Sequence, residues 1–271
     1  MLTIIPTGGL ANRINTISSA IGFCRDNKIR LRVFWFKDWG MGADFHHILT
    51  LNHTIKNVEI IDAKWYHRLY DKPRLGNLWI PALWQRFVHD VRISEFKTTA
   101  TLYSLTEALH SCQSIHLISC SLFYEWDGMF DSLKPIPDIQ RQIDEQTATF
   151  TNKTVVGVHI RRSDNEKSIT ESPTHLFIKK MRQDTATHPS TVFYLASDSE
   201  QEKQQLQQIF SDKIITSSQK TERASEQGII NALLELYTLA ATQKIYGSYN
   251  STYSALAAKI GKIPLHVIRK I

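Results

Sequence analysis

Two adjacent arginines follow an apolar run in Val155-Val156-Gly157-Val158-His159-Ile160-Arg161-Arg162-Ser163-Asp164. Guanidinium groups contact phosphate oxygens in bidentate fashion, so a pair of them where a strand ends suits an anionic ligand. Asp164 would hold one arginine while the other binds the anion; the alternative use of the same residues is an Arg-Asp pair that pins a loop. In Gly247-Ser248-Tyr249-Asn250-Ser251-Thr252, backbone N–H groups at a helix start and nearby hydroxyls form an anion cradle, or Asn250 or Ser251 is an ordinary N-cap. In Phe193-Tyr194-Leu195-Ala196-Ser197-Asp198, the carboxylate just past a strand accepts hydrogen bonds from the edge of guanine or from ribose, or caps the next helix. Gly8-Gly9-Leu10-Ala11-Asn12-Arg13 offers glycines that permit close backbone approach to a ligand, with Asn12 and Arg13 opening a helix; the plainer reading is a simple strand-to-helix turn.

These segments need elements that bring them together. The apolar run 2–6, the turn at Gly8-Gly9 and the helical spacing of Ile14, Ile17, Ile21 and Cys24 predict strand, turn and helix, and residues 29–35 complete a parallel βαβ unit. Residues 37–114 show poor periodicity and are expected as loops and irregular helices, followed by a buried strand over 115–119. From residue 154 the pattern alternates regularly. Strands are predicted over 154–160, 191–196, 213–216, 244–247 and 265–268, with helices over 174–186, 199–210, 226–241 and 251–260. Such alternation predicts a doubly wound parallel sheet, in which ligands bind outside the carboxyl ends of strands. A break around the prolines of Lys134-Pro135-Ile136-Pro137 suggests two α/β domains, 1–150 and 151–271.

The chain has 271 residues, 42% of them hydrophobic, enough for a sizeable core. Five of its six net positive charges fall in residues 151–271, the part that carries the paired arginines. The basic residues are scattered and no nucleic-acid-binding signature occurs, so no nucleic acid partner is expected. GxGxxG and GxxxxGK[ST] are absent, and so is any Asp-x-Asp triplet, which argues against a metal-dependent glycosyltransferase; no metal site is expected. Three cysteines form no CxxC pair, no apolar run spans a bilayer, and no leader pattern is visible, so a cytoplasmic protein with at most peripheral membrane association is expected.

Taken in order, the four segments resemble the fucosyltransferase superfamily of α1,2-, α1,6-, protein O- and bacterial nodulation fucosyltransferases. His159-Ile160-Arg161-Arg162-Ser163-Asp164 looks like its first motif, Tyr194 to Asp198 like its second, and Gln227-Gly228 through Ser248-Tyr249-Asn250-Ser251 like its third. The glycine turn at Gly8-Gly9 is similar to the superfamily's N-terminal turn. The resemblance implies a GT-B-like fold of two Rossmann-like domains with the nucleotide-sugar site in the cleft, the N-terminal domain on the acceptor side and the C-terminal domain holding the donor. It also implies an inverting, metal-independent transfer of fucose from GDP-fucose, a donor substrate and not a cofactor, to a glycan in a bacterial biosynthetic setting. Under this resemblance Arg161 contacts the β-phosphate of the leaving GDP, and His159, Arg162, Asp164 and Asp198 belong to the nucleotide site. Ser248, Asn250, Ser251 and Thr252 form the phosphate cradle, and Gly8, Gly9, Asn12 and Arg13 face the sugar or β-phosphate. Glu171 is the nearest match to the family's general base, with Glu166 as the alternative. Asn250 stands where relatives usually carry Ser or Thr. A non-catalytic GDP-sugar-binding module and a transferase for another GDP-hexose are the competing expectations.

Overall fold

A computed structural model describes residues 1–72, 80–94, 98–162 and 165–270 of the chain. Two compact units are present, residues 1–136 with 223–229, and residues 137–222 with 230–271.

The first unit carries β1 (Leu2–Pro6), α1 (Leu10–Asp26), β2 (Leu31–Trp35), β3 (Leu49–Leu51), β4 (Val58–Asp62), α2 (Ile80–Val88), β5 (Val91–Ser94), α3 (Thr98–Leu109), β6 (Ile115–Ser119) and β7 (Leu133–Pro135). Five of these strands form a parallel sheet in the order β4-β2-β1-β6-β5, while β3 and β7 make a separate antiparallel pair. β1 and β6 are buried along their whole length, as central strands covered on both faces must be. The stretch expected to be irregular supplies the two edge strands, β4 and β5. Edge strands are only partly covered, which dilutes their apolar pattern; every residue of β4 is only partly buried.

The second unit carries α4 (Pro137–Ala148), β8 (Val155–Ile160), α5 (Glu166–Glu171), α6 (Thr174–Thr187), β9 (Val192–Ser197), α7 (Glu200–Phe210), β10 (Ile214–Thr216), most of α8 (Glu226–Ala240), β11 (Ile245–Ser248), α9 (Thr252–Gly261) and β12 (Leu265–Ile268). Its strands are all parallel, in the order β10-β9-β8-β11-β12. Val156, Val158 and Ile160 of β8 pack with Phe193 and Leu195 of β9, with Phe177 and Met181 of α6, and with Leu206 and Phe210 of α7. Burying each such side chain stabilises the unit by about 1.5–3 kcal/mol. The strand order reverses between β8 and β11, and the loops leaving these two strands flank the crevice where open α/β sheets take ligands.

The units divide at 136/137 where the sequence suggested 150/151. Helix α4 opens on Pro137, a residue suited to the first helical turn, and buries Ile139 and Ile143. Its Gln146 donates to the Tyr194 hydroxyl at 3.5 Å and accepts from Thr238 at 3.3 Å, both in the second unit. Residues 223–229 return to the first unit, where the N–H of Gly42 donates to the Arg223 carbonyl at 2.8 Å. A Cβ on Gly42 would come within 2.4 Å of the Ala224 backbone, so only glycine allows that approach.

Candidate active site

The exits of β8 and β11 are fastened to each other by one hydroxyl. Ser248 Oγ accepts the N–H of Arg161 at 3.1 Å and donates to the His159 carbonyl at 3.3 Å. The His159 imidazole is buried, 4.8 Å from the Tyr253 ring, with Nδ1 3.4 Å from Ser251 Oγ. Burial pulls its pKa down to about 4, Asp198 pulls it back up, and the Arg161 charge pushes it further down. At neutral pH the ring is therefore uncharged, and the fixed positive charge at this strand end comes from arginine.

The two arginines have different surroundings. Arg162 Nε donates to Glu202 Oε1 at 2.7 Å, Nη1 to the Arg161 carbonyl at 2.9 Å, and Nη2 to the Ser172 carbonyl at 3.1 Å and Thr174 Oγ1 at 3.0 Å. Its backbone N–H donates to Asp198 Oδ1 at 2.7 Å. A guanidinium with this many internal partners is a positioning group for the loop after β8, not a ligand contact. Among the described residues Glu202 of α7 holds it; Asp164 lies outside the described residues. Arg161 is partly exposed beside His159, its backbone fixed by Ser248. Asp198 does not cap α7, since Ser199 does so by accepting the Glu202 N–H at 3.3 Å. The exposed Asp198 carboxylate instead links β9 to the arginine loop.

Asn250 adopts a left-handed backbone with φ +55, a conformation Asn tolerates far better than Ser or Thr. Its carbonyl accepts from Asn165 Nδ2 at 3.0 Å. Ser251 occupies the N-cap position of α9, yet its side chain makes no cap bond to that helix; its hydroxyl faces His159. The exposed Thr252 opens the helix, whose first-turn N–H groups favour negative charge.

Glu171 ends α5 and shares a cavity of about 440 Å³ with Glu166, Tyr249 and Arg269. Neither His159 nor Arg161 lines that cavity. The segment reaches the β11 loop through Ser168 Oγ, which donates to the Tyr249 carbonyl at 2.5 Å, and Ser172 Oγ, which accepts the Tyr249 N–H at 2.7 Å.

In the first unit the glycine turn leaves β1 at the equivalent reversal of strand order, between β1 and β6. Gly8 has φ +80, and a Cβ there would lie 2.8 Å from Asn12 Nδ2. Gly9 is extended, caps α1 without a side-chain bond, and has no atom within 4 Å of where a Cβ would stand. Asn12 is half-buried, whereas Arg13 is 1% exposed. Arg13 Nε donates to the Gly8 carbonyl at 2.9 Å, Nη1 donates to the Phe36 carbonyl at 2.5 Å, and Nη2 pairs with Asp38 at 3.0 Å. It props the turn from beneath, and the open side of the turn belongs to Gly9.

A second polar cavity, of about 470 Å³, lies past β10 and is lined by Ser217, Gln219, Asn231 and Glu235. Glu235 is buried and pairs with the equally buried Lys203 at 3.3 Å. Burial pushes the carboxyl up to about 7 against the pull of Lys203. Glu202 and Glu235 lie outside the motifs visible in the sequence. Glu235 had a signal, a charge inside the apolar run Leu233-Leu234-Glu235-Leu236; Glu202, in a polar helix, had none. Among the described residues, no group of three or more His, Cys, Asp or Glu side chains is placed to hold a metal ion.

Neither a protein-family model nor a curated protein matches the sequence. Solved structures do resemble the fold. NodZ alpha-1,6-fucosyltransferase soaked with GDP-fucose matches with a TM-score of 0.67 at 17% identity, over 96% of this chain and 92% of that one. NodZ from Bradyrhizobium matches at 0.65 and 17% identity over 94% and 90%, and POFUT1 in complex with GDP-fucose at 0.62 and 9% identity over 98% and 97%. The chain has the GT-B-type fold of these fucosyltransferase structures.

Proposed function

We propose that the chain is an inverting glycosyltransferase that moves fucose from GDP-fucose to a glycan acceptor without a metal ion. The observation that carries this reading is the junction of β8 and β11. There Arg161, a neutral His159 and the start of α9, whose N-cap Ser251 makes no side-chain cap bond, stand at the reversal of strand order in the second unit. The structures of similar fold include NodZ co-crystallized with GDP or soaked with GDP-fucose, and POFUT1 in complex with GDP-fucose.

In this reading the second unit binds the donor and the first the acceptor. Arg161 and the α9 N–H groups, with Ser251 and Thr252, face the diphosphate. Arg161 stabilises the charge that grows on the β-phosphate as the bond to the sugar breaks, an interaction that is stronger in the transition state than in the ground state. Arg162, Asp198, Ser248 and Arg13 hold the loops that present these groups. Gly9 and Asn12 approach the donor sugar, and Asp198 also reaches the nucleoside. Glu171 takes the acceptor proton, with Glu166 in the same cavity as the second candidate. The setting is the cytoplasm of a bacterium and the acceptor a glycan precursor.

Thermal unfolding with nucleotides tests the donor. A ligand that binds only the native chain raises its Tm, so GDP in the presence of EDTA is expected to raise it and UDP to leave it unchanged. Equal shifts with UDP, or a shift with GDP only when Mg²⁺ is added, contradict this donor and the metal-independent mechanism.

A further inference from the structure

Helix α2 faces the wrong way for a helix that serves only its own core. Ile80, Leu83 and Phe87 recur at spacings of three and four, so they form one stripe along the helix. In a globular unit such a stripe packs inward. Here the inward residues are Pro81 and Gln85, and Gln85 Nε2 donates to the Leu69 carbonyl at 2.8 Å and the Asp71 carbonyl at 2.9 Å. The apolar stripe is outward: Phe87 is 84% exposed, and Ile80, Leu83 and Val88 are also exposed. The neighbouring turn, Trp65–Tyr70, is locked to α2 by the bond to Leu69, by the bond to Asp71 just after it, and by Tyr70 against Trp84 at 4.6 Å. That turn adds Trp65, 78% exposed, and Tyr66. Scattered exposed apolar residues are ordinary, but an exposed helix stripe together with two exposed aromatics on the turn bonded to that helix is more apolar surface than one element leaves in water by chance.

The exposed charge around the surface is mostly positive. Lys64, Arg68 and Arg86 are exposed. Of the acidic residues described between 64 and 92, Asp71 is buried and Asp90 is exposed, its carboxylate accepting the N–H groups of Gln113 at 2.7 Å and Ser114 at 2.8 Å, so the three cations outnumber the one exposed anion.

From this combination we propose that the α2 face docks on a lipid bilayer rich in anionic headgroups. Phe87, Leu83 and Ile80 enter the interface, Trp65 and Tyr66 sit at headgroup level, and Lys64, Arg68 and Arg86 meet the lipid phosphates. Charge complementarity selects this occupant over a second copy of the chain. A two-fold contact through the same face would set the same cations against each other.

Co-sedimentation of the full chain with vesicles tests the proposal independently of any donor or acceptor. Phosphatidylcholine vesicles carrying phosphatidylglycerol are expected to retain the protein roughly tenfold or more better than phosphatidylcholine alone, and less well at high salt. The double variant Leu83→Ser/Phe87→Ser is expected to lose retention on both, and Arg68→Gln/Arg86→Gln to lose the preference for phosphatidylglycerol. Both variants should keep the wild-type Tm and, in light scattering, the wild-type mass. The proposal is overturned if the wild-type chain is not retained by phosphatidylglycerol vesicles at low salt, or if the variants are retained as well as wild type. It is equally overturned if Leu83→Ser/Phe87→Ser splits an oligomer while vesicle binding is unchanged, which would assign the face to a second copy.

Discussion

Glu202 Oε1 lies 2.7 Å from Arg162 Nε, and both side chains are 13% exposed. This pair joins α7 to the loop that leaves β8, and Thr174 Oγ1 donates to the same carboxylate at 2.7 Å. The arginine that follows Arg161 is thus part of the scaffold that orients it. The pair is partly buried, so removing one partner costs less than it would for a fully buried pair, on the order of 1–3 kcal/mol. Glu202→Ala is therefore expected to destabilise the protein by that order in urea unfolding, and Glu202→Gln, which keeps a hydrogen-bonding oxygen, by less. An effect of Glu202→Ala within about 0.5 kcal/mol, the range of an ordinary surface change, contradicts the assignment.

The two glycines of the first turn should separate in their behaviour. Gly8→Ala forces a side chain into a left-handed backbone and against Asn12, so a loss of about 1–2 kcal/mol is expected. Gly9→Ala has allowed backbone angles and open space, so its stability should stay within about 0.5 kcal/mol of wild type. If Gly9 lines the donor, that variant weakens turnover while remaining folded. Comparing Tm with the apparent KM for GDP-fucose separates these outcomes; a Gly9→Ala protein with unchanged KM and kcat removes Gly9 from the site.

Acid should destabilise the native chain before general carboxylate protonation begins. Burial holds His159 at about 4 and His116 at about 3, below an ordinary 6.5. Below 6.5 the unfolded chain binds these protons and the native chain does not, so stability is lost as the pH falls through that window. Glu235, raised from 4.5 to about 7, acts in the opposite sense, since its native form takes up the proton first as the pH falls. Denaturant unfolding at about pH 7 and about pH 5 is expected to show a net loss at the lower pH. Glu235→Gln removes the opposing contribution and should lose more on the same acidification. A wild-type chain more stable at the lower pH contradicts the burial of these imidazoles.

Much of the second unit was legible because its strands are continuous apolar runs and its polar residues cluster where those runs stop. His159, Arg161 and Ser251 stand next to strand or helix ends in the sequence itself. The partners that orient them were not legible. Glu202 reaches Arg162 across 40 positions of sequence, and nothing local distinguishes it from the other carboxylates of α7. Arg13 and Arg162 read as ligand contacts because residue type alone does not reveal that a guanidinium has spent its donors on backbone carbonyls. Strands β4 and β5 were missed for a different reason: a half-covered edge lacks the clean alternation or the unbroken apolar run that marks a strand.

The central claim is that Arg161 stabilises departing GDP in a transfer of fucose. Its most direct measurement is product formation from GDP-fucose by mass spectrometry, in EDTA, across a panel of glycan acceptors, with wild type, Arg161→Ala and Arg161→Lys compared at equal Tm. The wild-type chain is predicted to transfer fucose, and both variants to lose about 100- to 1000-fold in kcat, since lysine does not reproduce the planar fork. Near-normal turnover by both variants, or a wild-type chain that binds GDP yet neither transfers fucose nor hydrolyses GDP-fucose, contradicts it.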